Sequence, residues 1–462
     1  ALPSALRKLG VDVRVGLPFY RMAKGGNFEV QKVLEGLDVP LGDTRLTGDV
    51  LETSTEEGVP VYLFDREDLF DRPYLYGTPE GDYPDNLERF TYFCRAALLF
   101  AKKAGIRFDV IHCHDWQTGL IPAYLKTLYR ADPFFSGISS VFTIHNMGYQ
   151  GLFPQEKLST CGIPISKFRP EGLEYWDQIS LLKSGIVYAD AITTVSPGYS
   201  REIQTPEFGM GMDDILKKRS VDLYGILNGV DYSVWDPARD PHITANYSPQ
   251  KMAGKQRCKE SLIQEMGLDP SLRKRPLLGM ISRLDAQKGL DLLVQALDEL
   301  LALDAGLVIL GSGDELIQEA VQEAAGRHPG RLGFEIGFDE PLAHRIMAGA
   351  DMLLVPSRYE PCGLTQIYAL KYGTVPIVRA TGGLDDTIQQ FDPSSGKGNG
   401  FKFVEYEAKA FLDRTREALK VFHDGPGWMK LVKNGMQADF SWENSALEYI
   451  SLYEKIGAAA GS

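Results

Sequence analysis

The sequence predicts an α/β fold built from two doubly wound, Rossmann-like domains of parallel sheet that face a cleft. Short runs rich in valine, isoleucine and leucine recur along the 462 residues, and each is followed by a longer segment with helical periodicity. The runs are almost continuously apolar, which is typical of parallel strands that are covered on both faces. Because the alternation occurs twice over, we expect two such domains, with ligands at the carboxyl ends of their strands.

The predicted elements follow one another along the chain. ALPSALRKLG reads as the end of a helix, and VDVRVGLP reads as the strand after it. In the first half, further strands are predicted at VPVYLF, DVIHCHD, SSVFTIHN, DAITTVS and LYGILNG. In the second half, strands are predicted at PLLGMIS, GLVILGSG, LGFEIG, DMLLVPS and TVPIVRA. Near the end, ADFSWENSALEYISLYEKIG predicts a helix with an aromatic face.

The boundary between the domains is expected in the stretch 228–249. This stretch is rich in proline, aspartate and asparagine and lacks periodicity. We therefore expect an N-terminal domain over 1–227, a C-terminal domain over 228–438 and a terminal helix over 439–462. From the residues alone, that helix either returns to the first domain or caps the second.

The composition excludes several classes of function. Lysine and arginine total 49 against 62 for aspartate and glutamate, a formal net charge of −13. This balance excludes the basic footprint of a nucleic-acid binder and a polybasic membrane patch. No apolar run approaches the roughly 18 residues that a membrane-spanning helix needs. The five cysteines are scattered and include no CxxC pair, which fits a reducing compartment and excludes a cysteine zinc site.

Two cations follow the first strand of the second half. Arg283 and Lys288 lie in ISRLDAQKGLD, between a predicted strand and the next helix. Cations at a strand end suit a diphosphate, because they neutralise oxygens that gain charge as a bond breaks. An ordinary solvated loop fits the same pattern. The absence of a D-x-D motif favours the first interpretation, since charge on a nucleotide-sugar diphosphate would then be neutralised by side chains rather than by a metal ion.

Two glycine turns come at other strand ends of the second half. Gly311 and Gly313 form a GxG turn in LVILGSGDE, and Gly382 and Gly383 open a helix in RATGGLDDT. Both let the backbone approach an anion at a helix start. The GxG turn lacks the third glycine of the dinucleotide fingerprint, so a turn that only the fold requires is the better interpretation of that motif alone.

Histidines follow or end two strands of the first half. His112 and His114 alternate in IHCHDWQTG, so both face one side of a strand. A metal pair would need a third ligand, and none is spaced to join them, so packed and hydrogen-bonded histidines are favoured. His145 in TIHNMGYQG also comes at a strand end, where a structural role and a functional one both remain open.

Three further candidate residues lie at strand ends. Asp115 and Trp116 could bind a sugar. The indole would stack on the apolar face of the sugar ring, and the carboxylate would accept hydrogen bonds from the sugar hydroxyls. In the second half, Glu360 follows DMLLVPS in the stretch SRYEPCGLTQ. The residues alone leave open why a single acid lies at the exit of an apolar strand.

Six motifs together resemble one enzyme family. They occur in the order and approximate spacing of the bacterial glycogen synthases and plant starch synthases, from residue 1 to FSW at 440–442: HCHDW, TIHN, ILNGVD, ISRL…QKG, SRYEPCGLTQ and ATGGL. These are retaining glucosyltransferases of the two-domain type called GT-B. The resemblance also implies that the terminal helix packs back on the first domain.

The resemblance implies an activity and its partners. The expected reaction transfers glucose from ADP-glucose to the non-reducing 4-hydroxyl of an α-1,4-glucan, with retention of configuration. No cofactor and no metal are expected, and neither are nucleic-acid or membrane partners. The expected compartment is the bacterial cytoplasm, or the plastid stroma if the source is a plant or alga. The alternatives are a UDP-glucose-dependent transferase of the same architecture and a catalytically silent glucan-binding relative. A dehydrogenase is the least favoured alternative, because GxGxxG is missing.

The resemblance also assigns residues by matching position. The expected catalytic set is His145, Glu360, Arg283 and Lys288. The expected donor-binding residues include the two cations and are Asn228, Arg283, Lys288, Gly311, Gly313, Phe338, Cys362, Gly363, Leu364, Thr365, Gly382, Gly383 and Leu384. The expected acceptor-binding residues are Asp115, Trp116 and Asn146.

Three differences from related enzymes bear on the mechanism and the activity. Retaining hydrolases use two carboxylates about 5–5.5 Å apart, whereas Glu360 has no obvious partner acid, which favours a front-face mechanism assisted by departing ADP. Related transferases often carry a second glutamate eight positions on, where this chain has Tyr368, and that favours the synthase branch. The family's KTGGL-type loop would lie just before residue 1, together with a first strand, so the chain as written is expected to be poorly active.

Overall fold

The computed structural model describes residues 1–26, 28–78 and 80–460. Over these residues the chain forms two compact α/β units. The N-unit comprises 1–195, 200–226 and the segment from Trp442 onwards, and the C-unit comprises 196–199 and 227–441. The α/β class with parallel sheet in two domains, predicted from the sequence, is confirmed. The exact limits 1–227, 228–438 and 439–462 stay predictions, and each unit is described by itself.

The elements up to residue 226 include both the predicted strands and others that the sequence did not indicate. The strands are β1 Val15–Pro18, β2 Gln31–Leu41, β3 Thr44–Ser54, β4 Pro60–Asp65, β5 Gly77–Thr78, β6 Gly81–Asp82, β7 Val110–His114, β8 Ser139–Ile144, β9 Leu152–Pro154, β10 Glu174–Tyr175, β11 Gln178–Ser180, β12 Ala191–Thr194 and β13 Leu223–Gly225. The helices are α1 Leu2–Lys8, α2 Arg21–Lys24, α3 Glu67–Phe70, α4 Asn86–Lys103, α5 Asp115–Thr118, α6 Leu120–Lys126, α7 Leu158–Cys161, α8 Leu181–Tyr188, α9 Pro197–Glu202 and α10 Asp213–Lys218.

After residue 226 the chain first forms a long irregular stretch, in agreement with the proline-, aspartate- and asparagine-rich composition of 228–249. The strands are β14 Leu277–Ile281, β15 Gly306–Gly311, β16 Leu332–Ile336, β17 Met352–Val355, β18 Val375–Arg379 and β19 Phe401–Phe403. The helices are α11 Ala253–Glu265, α12 Leu290–Ala302, α13 Glu315–Arg327, α14 Glu340–Gly349, α15 Thr365–Lys371, α16 Gly382–Thr387, α17 Ala408–Phe422, α18 Gly425–Gln437 and α19 Trp442–Ala460. No described helix combines the length and the apolar character that crossing a membrane requires.

A parallel sheet in the N-unit carries the histidine motifs. Its strand order is β13-β12-β8-β7, and all of its pairings are parallel. Every residue of β8 is buried, as expected for a strand that is covered on both faces. His114 pairs with Thr143, and Ile144 pairs with Thr194, so the carboxyl ends of β7, β8 and β12 meet at one edge. That register places Asp115 beside His145.

A second sheet in the N-unit corrects one expectation. VPVYLF was expected in a parallel sheet, but β4 pairs parallel with β1 and antiparallel with β3, in the order β1-β4-β3-β2. The long β2–β3 hairpin was not predicted. The core below this sheet contains Leu37, Val39 and Val50 from the hairpin and Phe93 and Phe100 from α4. Much of the rest of the hairpin is exposed, so its sequence lacks the continuous apolar run that indicated the other strands.

The C-unit holds one continuous parallel sheet. Its strand order is β16-β15-β14-β17-β18-β19, so the direction of winding reverses between β14 and β17. The residues of β15 and β17 are buried throughout, because helices cover both faces. In doubly wound sheets the reversal leaves a crevice at the carboxyl ends of the two central strands, where ligands bind. Here the crevice lies between the loops that follow β14 and β17.

The terminal helix α19 packs inside the N-unit. Its residues Ala446, Tyr449 and Leu452 share one apolar cluster with Leu2 and Leu6 of α1. The aromatic face that the sequence indicated also includes Tyr453, whose hydroxyl lies 2.7 Å from His112 Nδ1 on β7. The helix therefore supports the strand that ends in the histidine motif.

A buried ion pair fixes the first helix of the C-unit to the sheet. Lys259 Nζ of α11 lies 2.6 Å from the Asp351 carboxylate just before β17, and its side chain is only 4% exposed. The same carboxylate accepts the backbone N–H of Leu277 at 2.8 Å. Removing one member of a buried pair leaves the other charge without compensation.

We expect Lys259→Met to lower the free energy of unfolding by about 3 kcal/mol, because Asp351 keeps its charge and loses its cation. Lys409→Met is the matched control, since Lys409 is 83% exposed in its pair with Asp413. That change should cost much less, because a solvent-exposed pair contributes little to stability. Guanidinium unfolding of both variants measures the difference, and equal losses would contradict the structural role given to Lys259.

Candidate functional site

A cavity of about 320 Å³ lies at the carboxyl end of the C-unit sheet. It occupies the crevice where the winding of the sheet reverses, as the topology predicts. Six residues that the sequence singled out line it, namely Arg283, Lys288, Gly311, Phe338, Glu360 and Thr365. The loops after β14, β15, β16 and β17 thus bring together residues that lie up to 82 positions apart in the chain, counted from Arg283 to Thr365.

An ion pair forms the floor of this cavity. Lys288 Nζ donates to Glu360 Oε2 at 2.7 Å, and Ser357 Oγ donates to the same oxygen at 3.0 Å. Glu360 is only 6% exposed, so its charge depends on these two donors. Gly289 makes the approach possible, because it has a φ of +76° and a Cβ there would lie 2.1 Å from the Pro356 carbonyl oxygen. The loops after β14 and β17 therefore touch at this point.

Arg283 lies on the cavity wall in a different environment. Its side chain is 55% exposed, and Nη1 lies 2.9 Å from Asp285 Oδ2. Nη2 donates to Gln287 Oε1 at 3.1 Å. Both partners belong to the loop after β14, so that loop holds the guanidinium with its charge near the solvent. An anion entering the cavity would therefore meet an oriented cation.

The cavity lining also includes an exposed aromatic ring. Phe338 follows β16 and is 93% exposed, although it lines the cavity. Asp339 accepts the backbone N–H of Leu342 through Oδ1 at 2.8 Å and thereby caps α14. Ser282 also lines the cavity, and its Oγ is buried without a hydrogen-bond partner among the described residues. Sequence reasoning missed Ser282, Ser357 and Asp339, although all three lie within one residue of a quoted strand end or expected residue.

The TGGL segment lies directly behind Glu360. Gly383 N donates to the Glu360 carbonyl oxygen at 3.1 Å. A Cβ at Gly383 would lie 2.1 Å from the Cys362 carbonyl oxygen, so only glycine permits this approach. Gly382 has a φ of +44° and Leu384 is fully buried. The segment therefore shapes the loop that presents Glu360, and these three residues do not line the cavity.

The remaining expected donor residues are also placed outside the cavity lining. The backbone of Asn228 hydrogen-bonds the thiol of Cys362, and burial raises the pKa of that thiol to about 12. Gly363 has a φ of +70°, and Leu364 precedes α15. Gly313 forms a parallel β-bridge with Leu284. The two backbones are so close there that a Cβ at Gly313 would lie 2.4 Å from the Leu284 carbonyl oxygen. Binding roles for these residues stay predictions.

The N-unit brings the strand-end residues Asp115 and His145 together. Asp115 Oδ1 accepts the backbone N–H of His145 at 2.8 Å. Asp115 has a φ of +55°, a left-handed backbone that non-glycine residues rarely adopt and that often marks functional sites. Burial raises the pKa of its carboxyl group, and the charge of His145 and backbone N–H groups oppose that rise. Asn146 Oδ1 accepts Gly148 N at 2.9 Å, which shapes the following loop.

The histidines of β7 form a packed, hydrogen-bonded relay behind His145. His112 Nδ1 contacts the Tyr453 hydroxyl, and Nε2 contacts Thr143 Oγ1 at 2.6 Å. The ring of His112 stacks on that of His114, with centroids 4.3 Å apart, and His114 Nδ1 lies 3.1 Å from His145 Nε2. Among the described residues, no cluster of histidine, cysteine, aspartate and glutamate has the makings of a metal site.

Trp116 corrects an expectation about sugar stacking. Its indole is only 7% exposed and packs against Phe90, with ring centroids 4.9 Å apart. Phe153 lies on another side at 5.9 Å, and a Cβ at Gly151 would lie 2.6 Å from the indole. The ring is therefore part of the packing under the strand end. The sequence pattern gave no signal that separates a buried tryptophan from an exposed one.

Comparison with known proteins gives consistent matches along the chain. Residues 1–218 match the family described as starch synthase catalytic domain, and residues 269–423 match glycosyl transferases group 1. A glycogen synthase of Koribacter versatilis is 48% identical, over 98% of this chain and 93% of the relative. A glycogen synthase of Syntrophotalea carbinolica is 47% identical, over 98% of this chain and 94% of the relative.

A solved structure confirms the fold over almost the full length. The catalytic domain of starch synthase IV from Arabidopsis thaliana, bound to ADP and acarbose, superposes with a TM-score of 0.91. It is 32% identical, and the match covers 99% of this chain and 94% of that one. The GT-B architecture expected from the sequence is thereby confirmed.

Titration of His112 gives a testable consequence of the relay. Burial, and then the charges of His114 and His145, lower the pKa of His112 well below its ordinary value of 6.5. The folded protein therefore keeps this ring neutral, while the unfolded chain takes up a proton below about pH 6.5. The stability that the neutral ring contributes is complete above that pH and is lost as the pH falls below it.

We expect His112→Gln to flatten the loss of stability between pH 7 and 5. The wild type should lose up to about 1.4 kcal/mol per pH unit below 6.5 from this ring, and the variant should not. His423→Gln, which replaces an exposed histidine, is the control and should keep the wild-type slope. Urea unfolding at pH 7.5, 6.0 and 5.0 gives the slopes, and parallel slopes for all three proteins would contradict the prediction.

Proposed function

The chain belongs to the starch synthase family, which includes the bacterial glycogen synthases, and is a glucosyltransferase; we propose that its donor is ADP-glucose and its acceptor the non-reducing end of an α-1,4-glucan. The observation that carries the proposal is the C-unit cavity, where the Lys288–Glu360 pair, Arg283 and the exposed Phe338 line one space. A relative of 32% identity that was solved with ADP and acarbose supports both ligands.

In the proposed donor complex, each wall of the cavity binds one part of ADP-glucose. Arg283 and Lys288 would hold the diphosphate, because both are cations that the loop after β14 presents to the cavity. Phe338 would lie against the adenine through its exposed ring. Glu360 would accept hydrogen bonds from hydroxyl groups of the glucose while it remains paired with Lys288. Thr365 would lie near the phosphates at the start of α15.

The proposed chemistry retains the anomeric configuration without a covalent glucosyl-enzyme. A double displacement needs a second carboxylate about 5–5.5 Å from the first. The other carboxylate that lines the cavity, Asp339, caps α14, so it already has a structural partner. We therefore favour a front-face reaction. The acceptor oxygen bonds to the anomeric carbon on the face from which the phosphate oxygen departs, and the proton of the acceptor hydroxyl passes to that departing oxygen.

On the acceptor side, the proposal assigns the reacting end of the glucan to the N-unit strand ends. His145, Asp115 and Asn146 lie at one edge of its parallel sheet, and the His112–His114 stack orients the His145 ring. His145 would contact the transferred glucose, since its ring is held by neutral neighbours and can donate or accept a hydrogen bond. Trp116 would act only through packing.

Charge on the departing diphosphate is proposed to be neutralised by side chains, with no metal and no cofactor. Developing negative charge is stabilised most effectively by donors that are fixed before the reaction, and here Lys288 and Arg283 are each held by a neighbouring carboxylate. The bacterial origin of the two relatives described above also favours the compartment expected from the sequence, the bacterial cytoplasm.

Nucleotide release is the direct test of the proposed reaction. With ADP-glucose and glycogen together, we expect release of ADP that depends on glycogen, and with UDP-glucose we expect at least about tenfold lower kcat/KM, a difference of about 1.4 kcal/mol. Faster turnover with UDP-glucose would identify the alternative donor. A folded protein that binds glycogen and releases neither nucleotide would contradict the proposal in favour of a silent glucan-binding relative.

Glu360→Gln tests the buried carboxylate without changing its shape. The amide can still accept hydrogen bonds from Lys288 and Ser357, so the fold should persist. We expect kcat to fall by about 10²-fold or more, because the negative charge that faces the reacting sugar is lost. Glu405→Gln, at an exposed glutamate of the same unit, should leave kcat unchanged. Near-normal turnover of Glu360→Gln would remove Glu360 from the catalytic set.

A further inference from the structure

The hairpin formed by β10 and β11 turns through two residues with unusual backbone. Trp176 and Asp177 have φ angles of +50° and +58°. Two left-handed residues between antiparallel strands are typical of a type I′ turn, which asparagine and glycine favour. A bulky side chain is sterically disfavoured in this region. Tryptophan is therefore energetically unfavourable at this position of the turn.

Trp176 also remains exposed to solvent. Its side chain is 81% exposed, and an indole is normally buried over much of its surface. Two hydrogen bonds anchor the hairpin that carries this residue. The Tyr175 hydroxyl donates to the Met210 carbonyl oxygen at 2.8 Å, and Lys183 Nζ donates to the Glu174 carbonyl oxygen at 2.5 Å. Tyr175 meets Trp176 edge to face, with centroids 6.3 Å apart. A rigid support thus presents a ring that gains little from the fold, and such an outlier points to function.

The position of the hairpin connects it to the acceptor side. The Met210 carbonyl oxygen that accepts from Tyr175 also accepts from Gln150 Nε2 at 3.0 Å. Gln150 belongs to the loop that starts with His145, and the neighbouring Tyr149 is 55% exposed. The hairpin and the loop of the proposed acceptor site are therefore joined through a single acceptor atom.

We propose that Trp176 is a binding platform for an α-1,4-glucan, which contacts sugar units beyond the reacting end. This inference rests on the proposed function. The apolar face of a pyranose ring packs on an indole, while the exposed side chains of Asp177 and Gln178 can accept and donate hydrogen bonds to its hydroxyls. A glucan is the occupant that fits best, because the patch combines a free aromatic ring with uncharged and acidic hydrogen-bonding groups and continues from the acceptor loop.

Trp176→Asn separates this role from the stability of the hairpin. Asparagine tolerates the left-handed backbone, so the variant should unfold at the wild-type temperature or above it. We expect about tenfold weaker binding of glycogen in affinity gel electrophoresis and a similar rise in the KM for glycogen, the usual size of effect for an exposed aromatic anchor. The kcat and the KM for maltotriose should not change, because a short acceptor does not reach the hairpin.

Two controls make the test specific. Trp176→Phe keeps an aromatic face and should retain most of the affinity for glycogen. Val221→Ala alters a residue of the N-unit that is 80% exposed elsewhere and should behave as the wild type. If Trp176→Asn matches the wild type in glycogen gels, or weakens maltotriose to the same extent as glycogen, the inference is overturned.

The same experiments keep this inference apart from the proposed function. A wild type that glycogen retards in the gel, together with an unretarded Trp176→Asn, supports the platform even if no nucleotide is released from ADP-glucose. A wild type that transfers glucose to maltotriose but is not retarded by glycogen overturns the platform and leaves the proposed function standing.

Discussion

The contact between Lys288 and Glu360 is the interaction on which the C-unit site depends. A carboxylate that is only 6% exposed needs hydrogen-bond donors in place of water, and here they come from Lys288 and Ser357. The pair can form because the sheet reverses its winding between β14 and β17, which brings their loops together. Gly289 then allows backbone contact, and Arg358 N donates to the Gln287 carbonyl oxygen at 2.9 Å.

The N-unit uses the same strand-end geometry with different chemistry. Its parallel register places His114 and His145 at one edge of the sheet. Asp115 adopts a strained, left-handed backbone conformation there, and its carboxylate accepts the His145 N–H. Behind them, Tyr453 of α19 and Thr143 satisfy both ring nitrogens of His112. A neutral, fully bonded histidine can stack on another without repulsion between like charges. The terminal helix therefore supports the site through the contact of Tyr453 with His112, although it lies far from the histidines in the sequence.

How well each part of the fold could be predicted from the sequence depends on how that part is buried. Strands such as β8 and β15 are covered on both faces, so their apolar runs identify them, whereas the half-exposed β2–β3 hairpin gave no comparable run. Arg283, Lys288 and Glu360, which the predicted strand ends singled out, line one cavity. Their pairing could not be predicted, because it joins residues 72 positions apart, and the burial of Trp116 depends on Phe90 and Phe153, which no local pattern reveals.

The charge of the chain explains why its two proposed ligands would be bound by different kinds of groups. A protein with a net charge of −13 repels a nucleotide diphosphate at long range, so the donor site needs cations held within the cavity, as Arg283 and Lys288 are. A glucan is uncharged and is not affected by that field. Aromatic faces and neutral hydrogen-bonding groups suffice for it, and the N-unit presents Trp176 and Tyr149 to solvent. The proposed assignment of one ligand to each unit is therefore consistent with the charge of each ligand.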